Sequence, residues 1–238
     1  LHSTSRRQRQ MCIRDSPGTP STEVLETIAK HRPDDVYVEW SVNEKAAMEL
    51  AAGASYAGAR SMVTMKQVGL NVASDPLMSL EYVGIKGGMV ILVADDPGPI
   101  SSQTEQDTRH FSRFSKLPCF DPSSAQEAYE MIQEAFEYSE KYGTPVFLRP
   151  TTRVCHGYAS IMVKDETEYT HHQPEGFIKD SKRWVIFPRL SFMNHKKIEA
   201  RNQELSDIFS SYEKNTIHPS CDAFKDSKKG IATGGISY

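Results

Sequence analysis

Residues 40–60 read "WSVNEKAAMELAAGASYAGAR". Ala46, Ala47, Leu50, Ala51 and Ala54 recur at three- and four-residue steps, the period of a helix. Most of that face is alanine and glycine. Side chains this small let a flat ring or a second backbone approach closely. One carboxylate, Glu44, stands just past the start. It reads either as half of a Ser41–Glu44 capping box, reaching back to the Ser41 amide, or as a chemical group.

Working outward, strands and helices alternate. "VYVEW" (36–40) precedes the stretch and "SMVTM" (61–65) follows it. "GGMVILVADD" (87–96) and "TPVFLRP" (144–150) are apolar runs of the kind covered on both faces, and "PCF" (118–120) is a brief strand. Thr19 is expected to cap a helix that opens on Pro20, and Asp75 one that opens on Pro76. "SSAQEAYEMIQEAFEYSEKYG" (123–143) is the clearest helix, with a Ser124–Glu127 capping box and Gly143 to close it. A long polar loop, 97–116, ends in a short helix. The pattern predicts an α/β fold, a mostly parallel sheet with helices on both faces, whose ligands sit at the carboxyl ends of the strands.

The flanks read differently. "LHSTSRRQRQMCIRDS" (1–16) is polar, arginine-rich and aperiodic. It has no apolar core for a signal peptide, reads as a non-native leader, and is expected to stand outside the fold. A domain over 17–163 is followed by a polar extension with an amphipathic helix (164–227). "KKGIATGGISY" (228–238) resembles the opening of a further domain cut short.

The 238 residues carry a net charge of −3, which argues against a nucleic-acid or membrane surface. No apolar run approaches the roughly 20 residues a bilayer span needs. The four cysteines, at 12, 119, 155 and 221, form no C-x-x-C pair, so neither a disulfide framework nor a metal-ligand spacing is present. A reducing, cytoplasmic compartment is expected.

"PGTPSTEV", "NEKAAMELAAGASYAGARSMVTMKQVGLN", "VADDPGPISSQTEQDTRHFSRFSK" and "GTPVFLRPTTRV" together resemble the pyrimidine-binding domain of thiamine-diphosphate enzymes. Within that group they are similar to the 2-oxoacid:ferredoxin oxidoreductases, in particular the branch that acts on indolepyruvate. The resemblance implies that Glu44 hydrogen-bonds the pyrimidine nitrogen N1′ and so promotes removal of the thiazolium C2 proton. It places Pro17, Gly18 and Gly69 with Glu44 at the cofactor, and Thr19 and Arg109 at the substrate, the arginine facing its carboxylate.

The bland readings are a helix cap for Thr19 and a solvated loop arginine for Arg109. Lys66 and Gln67 stand at a strand end and could line the site. Asp107 and His110 read as loop polars, and His171 and His172 as solvated.

Implied for the whole enzyme are Mg²⁺, [4Fe-4S] clusters, coenzyme A, ferredoxin, a beta subunit and a diphosphate-binding domain. This chain has no Gly-Asp-Gly and no cysteine run to hold the metals. The rival readings are an oxidoreductase for another 2-oxoacid such as pyruvate, and a non-catalytic subunit-interface module.

Overall fold

The computed structural model describes residues 11–15, 18–31, 36–169, 173–216 and 229–237. Pro17, His171 and His172 lie outside the described residues. In chain order the main elements are β1 (Met11–Asp15), α1 (Thr22–His31), β2 (Val36–Trp40), α2 (Glu44–Tyr56), β3 (Arg60–Lys66), α3 (Gln67–Val83) and β4 (Met89–Ala94). There follow α4 (Thr108–Phe114), β5 (Cys119–Phe120), α5 (Ala125–Tyr142), β6 (Val146–Leu148), α6 (Thr152–Cys155), α7 (Ser181–Trp184) and α8 (Pro188–Ser210).

Six strands make one sheet in the order β2-β1-β3-β4-β6-β5, and every pairing is parallel. Alternation along the strands sorts two apolar layers. Met89, Ile91, Val93 and Phe147 face α2 and α3, against Met48, Leu70, Leu77 and Leu80. Val90, Leu92, Val146 and Leu148 face the opposite way, with Leu25 of α1 and Met131 and Phe136 of α5. Each such buried side chain stabilises the fold by about 1.5–3 kcal/mol relative to exposure.

Residues 11–15 correct the expectation that the leader stands outside the fold. β1 pairs with β2 on one side and β3 on the other, with Ile13 opposite Val38 and Met62. Ile13 is 2% exposed and joins the layer with Leu25. Its arginine-rich surroundings hid a strand only five residues long.

Three helix starts also differ from the sequence expectation. α1 begins at Thr22, because the Ser21 and Thr22 amides both donate to the Gly18 carbonyl and form a turn over Thr19 and Pro20. α2 is capped by Asn43, whose side chain accepts from the Ala46 amide at 2.8 Å, so Ser41 and Glu44 form no capping box. α3 starts at Gln67 and carries Pro76 inside it. Leu70, Ala73, Leu77 and Leu80 hold that helix to the sheet through their burial, which outweighs the hydrogen bond that proline removes. Asp75 is instead an exposed partner of Lys45 at 2.7 Å.

α8, Pro188–Ser210, is a helix within the 164–227 extension where an amphipathic one was expected. It packs on α3, where Asn194 Nδ2 donates to the Tyr82 carbonyl at 2.9 Å, and its Ile198 and Leu205 are buried. Among the described residues no helix is long and apolar enough to cross a membrane.

Replacing a buried isoleucine by alanine typically costs about 2–5 kcal/mol. Ile13→Ala is expected to lower unfolding stability by that order in a urea titration. An unchanged midpoint would mean that β1 is no part of the stable fold.

Candidate functional site

β1 is followed in sequence by β2 on one side of it and by β3 on the other. The strand order therefore reverses between β1 and β3. A crevice opens outside the carboxyl ends of strands at such a point. The Gly18–Ser21 turn follows β1, and Lys66 ends β3. They meet there: a Cβ on Gly18 would lie 3.2 Å from Lys66 Cδ. Thr22 Oγ1 accepts from the Gly18 amide at 2.8 Å and fixes the turn. Thr19 projects from it, exposed, and is not a helix cap.

Glu44 heads α2, which leaves the end of β2. It is half-buried, and its carboxyl has no hydrogen-bond or ion-pair partner among the described residues. It packs on the first turn of α3 at Gly69. A Cβ there would lie 2.6 Å from Glu44 Oε1 and 2.7 Å from its Cγ, closer than real Cβ atoms come. Glycine is the residue that lets the carboxyl lie against that turn. Behind it Ala47, Ala51 and Ala52 of α2 are buried against the sheet.

The start of α3 is electrically unusual. Its N-cap is Lys66, no side chain caps its first amides, and its first turn contains no acid. A cation there opposes the helix dipole, which favours anions at this end. Lys66 Nζ donates to Gln103 Oε1 at 3.4 Å and has no carboxylate partner among the described residues. Gln67 is 1% exposed. Its Nε2 donates to the Thr104 carbonyl at 3.2 Å, while its Oε1 is buried without a partner. These two contacts tie the long β4–α4 loop to α3.

A buried ionic network holds the rest of that loop. Arg149, 6% exposed at the end of β6, donates to Asp95 at 2.7 Å and to Asp121 at 3.1 Å. Asp95 also accepts from the Thr108 amide at 2.9 Å and from the Thr108 hydroxyl. Asp96 Oδ2 accepts from the amides of Ile100, Ser101 and Ser102 at 2.9–3.0 Å, and its Oδ1 from Thr152. Burial works against the Asp96 charge, yet the Ser101, Thr152, Ile100 and Ser102 donors together hold its pKa down to about 2.

Arg109 lies in the first turn of α4, half-exposed. Its Nε and Nη2 grip the Asp107 carboxylate at 2.9 and 2.8 Å, and Nη1 is 3.5 Å from Asp121. The Arg109 bond, opposed by partial burial, holds Asp107 at about 2. Asp107 is also the N-cap of α4, and His110 is exposed. Gly234 approaches Arg109 Nη1 and Gly235 packs on Asp121, so the last described segment lies beside this network.

The structure thus brings Gly18, Thr19 and Lys66 to one crevice and Glu44 and Gly69 into contact, and it sets Arg109 in α4, just past the loop that Lys66 contacts at Gln103. Sequence reasoning missed Asp95, Asp96 and Arg149 as organisers. The available signal was charge at the ends of otherwise apolar strands, "VADD" and "FLRP". Among the described residues no group of three histidine, cysteine or acidic side chains could hold a metal ion.

The chain's residues 15–218 match the family model described as pyruvate flavodoxin/ferredoxin oxidoreductase, thiamine diphosphate-binding. It is 44% identical over 226 residues to an indolepyruvate oxidoreductase subunit IorA of Methanothermobacter thermautotrophicus, and 42% identical to that of Pyrococcus abyssi. Each match covers 93% of this chain, and the chain spans about a third of the relatives' length (35% and 34%). A 2-oxoglutarate synthase subunit KorA of Methanocaldococcus jannaschii is 26% identical over 162 residues, 64% of this chain and 43% of that one. Among solved structures, a 2-oxoglutarate:ferredoxin oxidoreductase from Magnetococcus marinus superposes with a TM-score of 0.61 at 18% identity. That superposition covers 90% of this chain and 45% of the other, a likeness of fold.

A folded-state pKa below the ordinary carboxylate value contributes stability that is lost as pH falls through it. For Asp96 the window runs from about 4 down to about 2. Asp96→Asn is expected to be less stable than wild type at pH 7. It should also lose less than wild type between pH 4 and pH 2 in acid-titrated denaturant melts. Parallel curves would show that Asp96 does not hold the loop.

Proposed function

Because the chain belongs to the pyruvate flavodoxin/ferredoxin oxidoreductase family of thiamine diphosphate-binding domains, we propose that it forms the pyrimidine-side half of a cofactor site. The whole enzyme in this proposal decarboxylates indolepyruvate oxidatively, to an aryl-acetyl-CoA, CO₂ and reduced ferredoxin. Its partners are coenzyme A, ferredoxin, a beta subunit and a diphosphate-binding domain, the last carrying the Mg²⁺ ligands. The preference for an aryl acid draws on the 39–44% identity to indolepyruvate oxidoreductase subunits.

One observation carries the site assignment: Glu44 is a half-buried carboxylate without a partner among the described residues, seated on a glycine at a helix N-terminus. A structural carboxylate in such a place would be expected to accept hydrogen bonds. Glu44 cannot be explained as the cap of α2, since Asn43 has that role. The residues present fit an aminopyrimidine ring, which offers a nitrogen to a carboxyl group and a flat face to small side chains.

Thiamine diphosphate, when bound, supplies the carbon nucleophile and electron sink that side chains lack. Glu44 would hold or share a proton at the ring nitrogen. Gly69 leaves that carboxyl room, and the Gly18 turn closes the crevice beside it. Thr19 would offer its hydroxyl to the 2-oxoacid. Arg109 would pair with the substrate carboxylate, which would compete with Asp107 for its planar fork.

Glu44→Gln in the full-length enzyme should melt within a degree or two of wild type and still bind cofactor. Deuterium exchange at the cofactor C2 should slow by about 100-fold or more, the scale of a lost general acid–base contribution. Exchange at the wild-type rate would sink the assignment of Glu44. A panel of indolepyruvate, phenylpyruvate, pyruvate and 2-oxoglutarate tests the substrate class, and a preference for 2-oxoglutarate would favour the KorA-like alternative.

A further inference from the structure

A cleft lies at the other end of the sheet from the crevice. α3 and α5 each link two parallel strands, so their carboxyl ends stand at the amino ends of β4 and β6. Those two helix ends, α7 and one face of α8 border about 670 Å³, a volume in the range of small-molecule sites.

Two side chains that line the cleft are left incomplete. Glu81, in the last turn of α3, is 5% exposed, and its Oε1 is buried with no hydrogen-bond partner among the described residues. Arg201 of α8 donates from Nη2 to the Lys116 carbonyl at 3.2 Å, while its Nε is buried and unpartnered. The guanidinium is near enough to favour the Glu81 charge, yet no hydrogen bond joins the two. Buried polar groups are ordinarily paired. An acid and a guanidinium that share a cleft without meeting suit a ligand that carries the complement of each.

Most other charges here are already engaged. Lys116 pairs with Glu199, Arg183 donates to the Ile85 carbonyl at 2.7 Å, and Lys141 lies over the Tyr142 ring. Cations at the carboxyl ends of helices are favoured by the dipole and need no ligand. Lys197 differs. It stands one turn before Arg201 on the same face of α8, exposed, with no carboxylate partner among the described residues. Val83, Leu190 and Ile198 give the cleft an apolar lining.

We propose that this cleft binds an α-amino acid with a large apolar side chain, its ammonium on Glu81 and its carboxylate on Arg201 and Lys197. A zwitterion of this kind carries both charges on one carbon, at the short separation that an acid and a guanidinium facing each other across a cleft require. Burial pushes the Glu81 carboxyl up to about 7 against the pull of Arg201 and Lys116. An arriving ammonium would favour the ionised form, so binding at pH 7 would release part of a proton from Glu81 to the buffer. The site is separate from the cofactor crevice and does not depend on the oxidoreductase reading.

The test is calorimetry on the full-length protein with three probes: L-phenylalanine, 3-phenylpropionate, which lacks the ammonium, and phenethylamine, which lacks the carboxylate. L-phenylalanine should bind, and each analogue should bind about 10-fold or more weakly, the scale of a lost hydrogen bond to a charged group. Its apparent binding heat at pH 7 should vary with the ionisation enthalpy of the buffer. Glu81→Gln should weaken L-phenylalanine by about 10-fold or more, abolish that buffer dependence and leave 3-phenylpropionate within threefold. Arg201→Gln should weaken both carboxylate probes. Lys197→Gln, an exposed change that does not put folding at stake, should weaken both in the same direction.

No binding of L-phenylalanine at millimolar concentration would overturn the proposal. So would equal affinity for the three probes, or a folded Glu81→Gln variant that keeps wild-type affinity and buffer dependence. If Glu81→Gln or Arg201→Gln fails to fold, Lys197→Gln and the wild-type ranking of the probes decide the matter.

Discussion

The first turn of α3 has no room for a side chain where the head of α2 crosses it. Gly69 meets the Glu44 side chain so closely that a single added carbon would sit inside its contact distance. That approach requires small residues behind it, and α2 supplies Ala47, Ala51 and Ala52, with Ala73 facing them from α3. The packing is unusual for a core, where alanine contributes little burial per residue. Large side chains are confined to other parts of the layer, Met48, Leu70, Leu77 and Leu80. The result is a carboxyl group placed by backbone proximity, with no hydrogen bond to it among the described residues.

The β4–α4 loop is placed by charge. Arg149 draws Asp95 and Asp121 together, and Asp96 gathers three successive amides. Removing one member of a buried ion network leaves the others uncompensated, commonly at about 3–5 kcal/mol, so these groups hold one loop geometry firmly. Gln67 and Lys66 attach the middle of the same loop to α3. The β4–α4 loop is thus fixed by polar contacts, while small buried residues let α2 and α3 approach closely behind Glu44.

Much of this was legible in the chain. The alternation of apolar runs with helical periods was enough for the parallel α/β sheet, and "TMKQVGLN" placed Lys66, Gln67 and Gly69 at a strand end. Other features were not legible for physical reasons. β1 is too short and too polar in its flanks to show a period, and its burial comes from partners β2 and β3. Pro76 looked like a helix start because local propensity sees the missing amide but not the Leu70–Leu80 face that holds α3 to the sheet. Ser41 and Asn43 are equally good caps in sequence, and tertiary geometry chose Asn43. The pairing of Arg149 with Asp95 spans 54 positions, which no local pattern reports.

The central claim is that Gly69 exists to seat the Glu44 carboxyl, and Gly69→Ala tests it most directly. Alanine is favoured over glycine inside a helix by about 1 kcal/mol, and the atoms it would strike, Oε1, Cγ and Cδ, all belong to the Glu44 side chain, which must swing away as a whole. The full-length variant should melt at or slightly above the wild-type temperature while C2 exchange falls nearly as far as in Glu44→Gln. An alanine variant with wild-type exchange would show that the contact does not position the carboxyl, and the account would be contradicted.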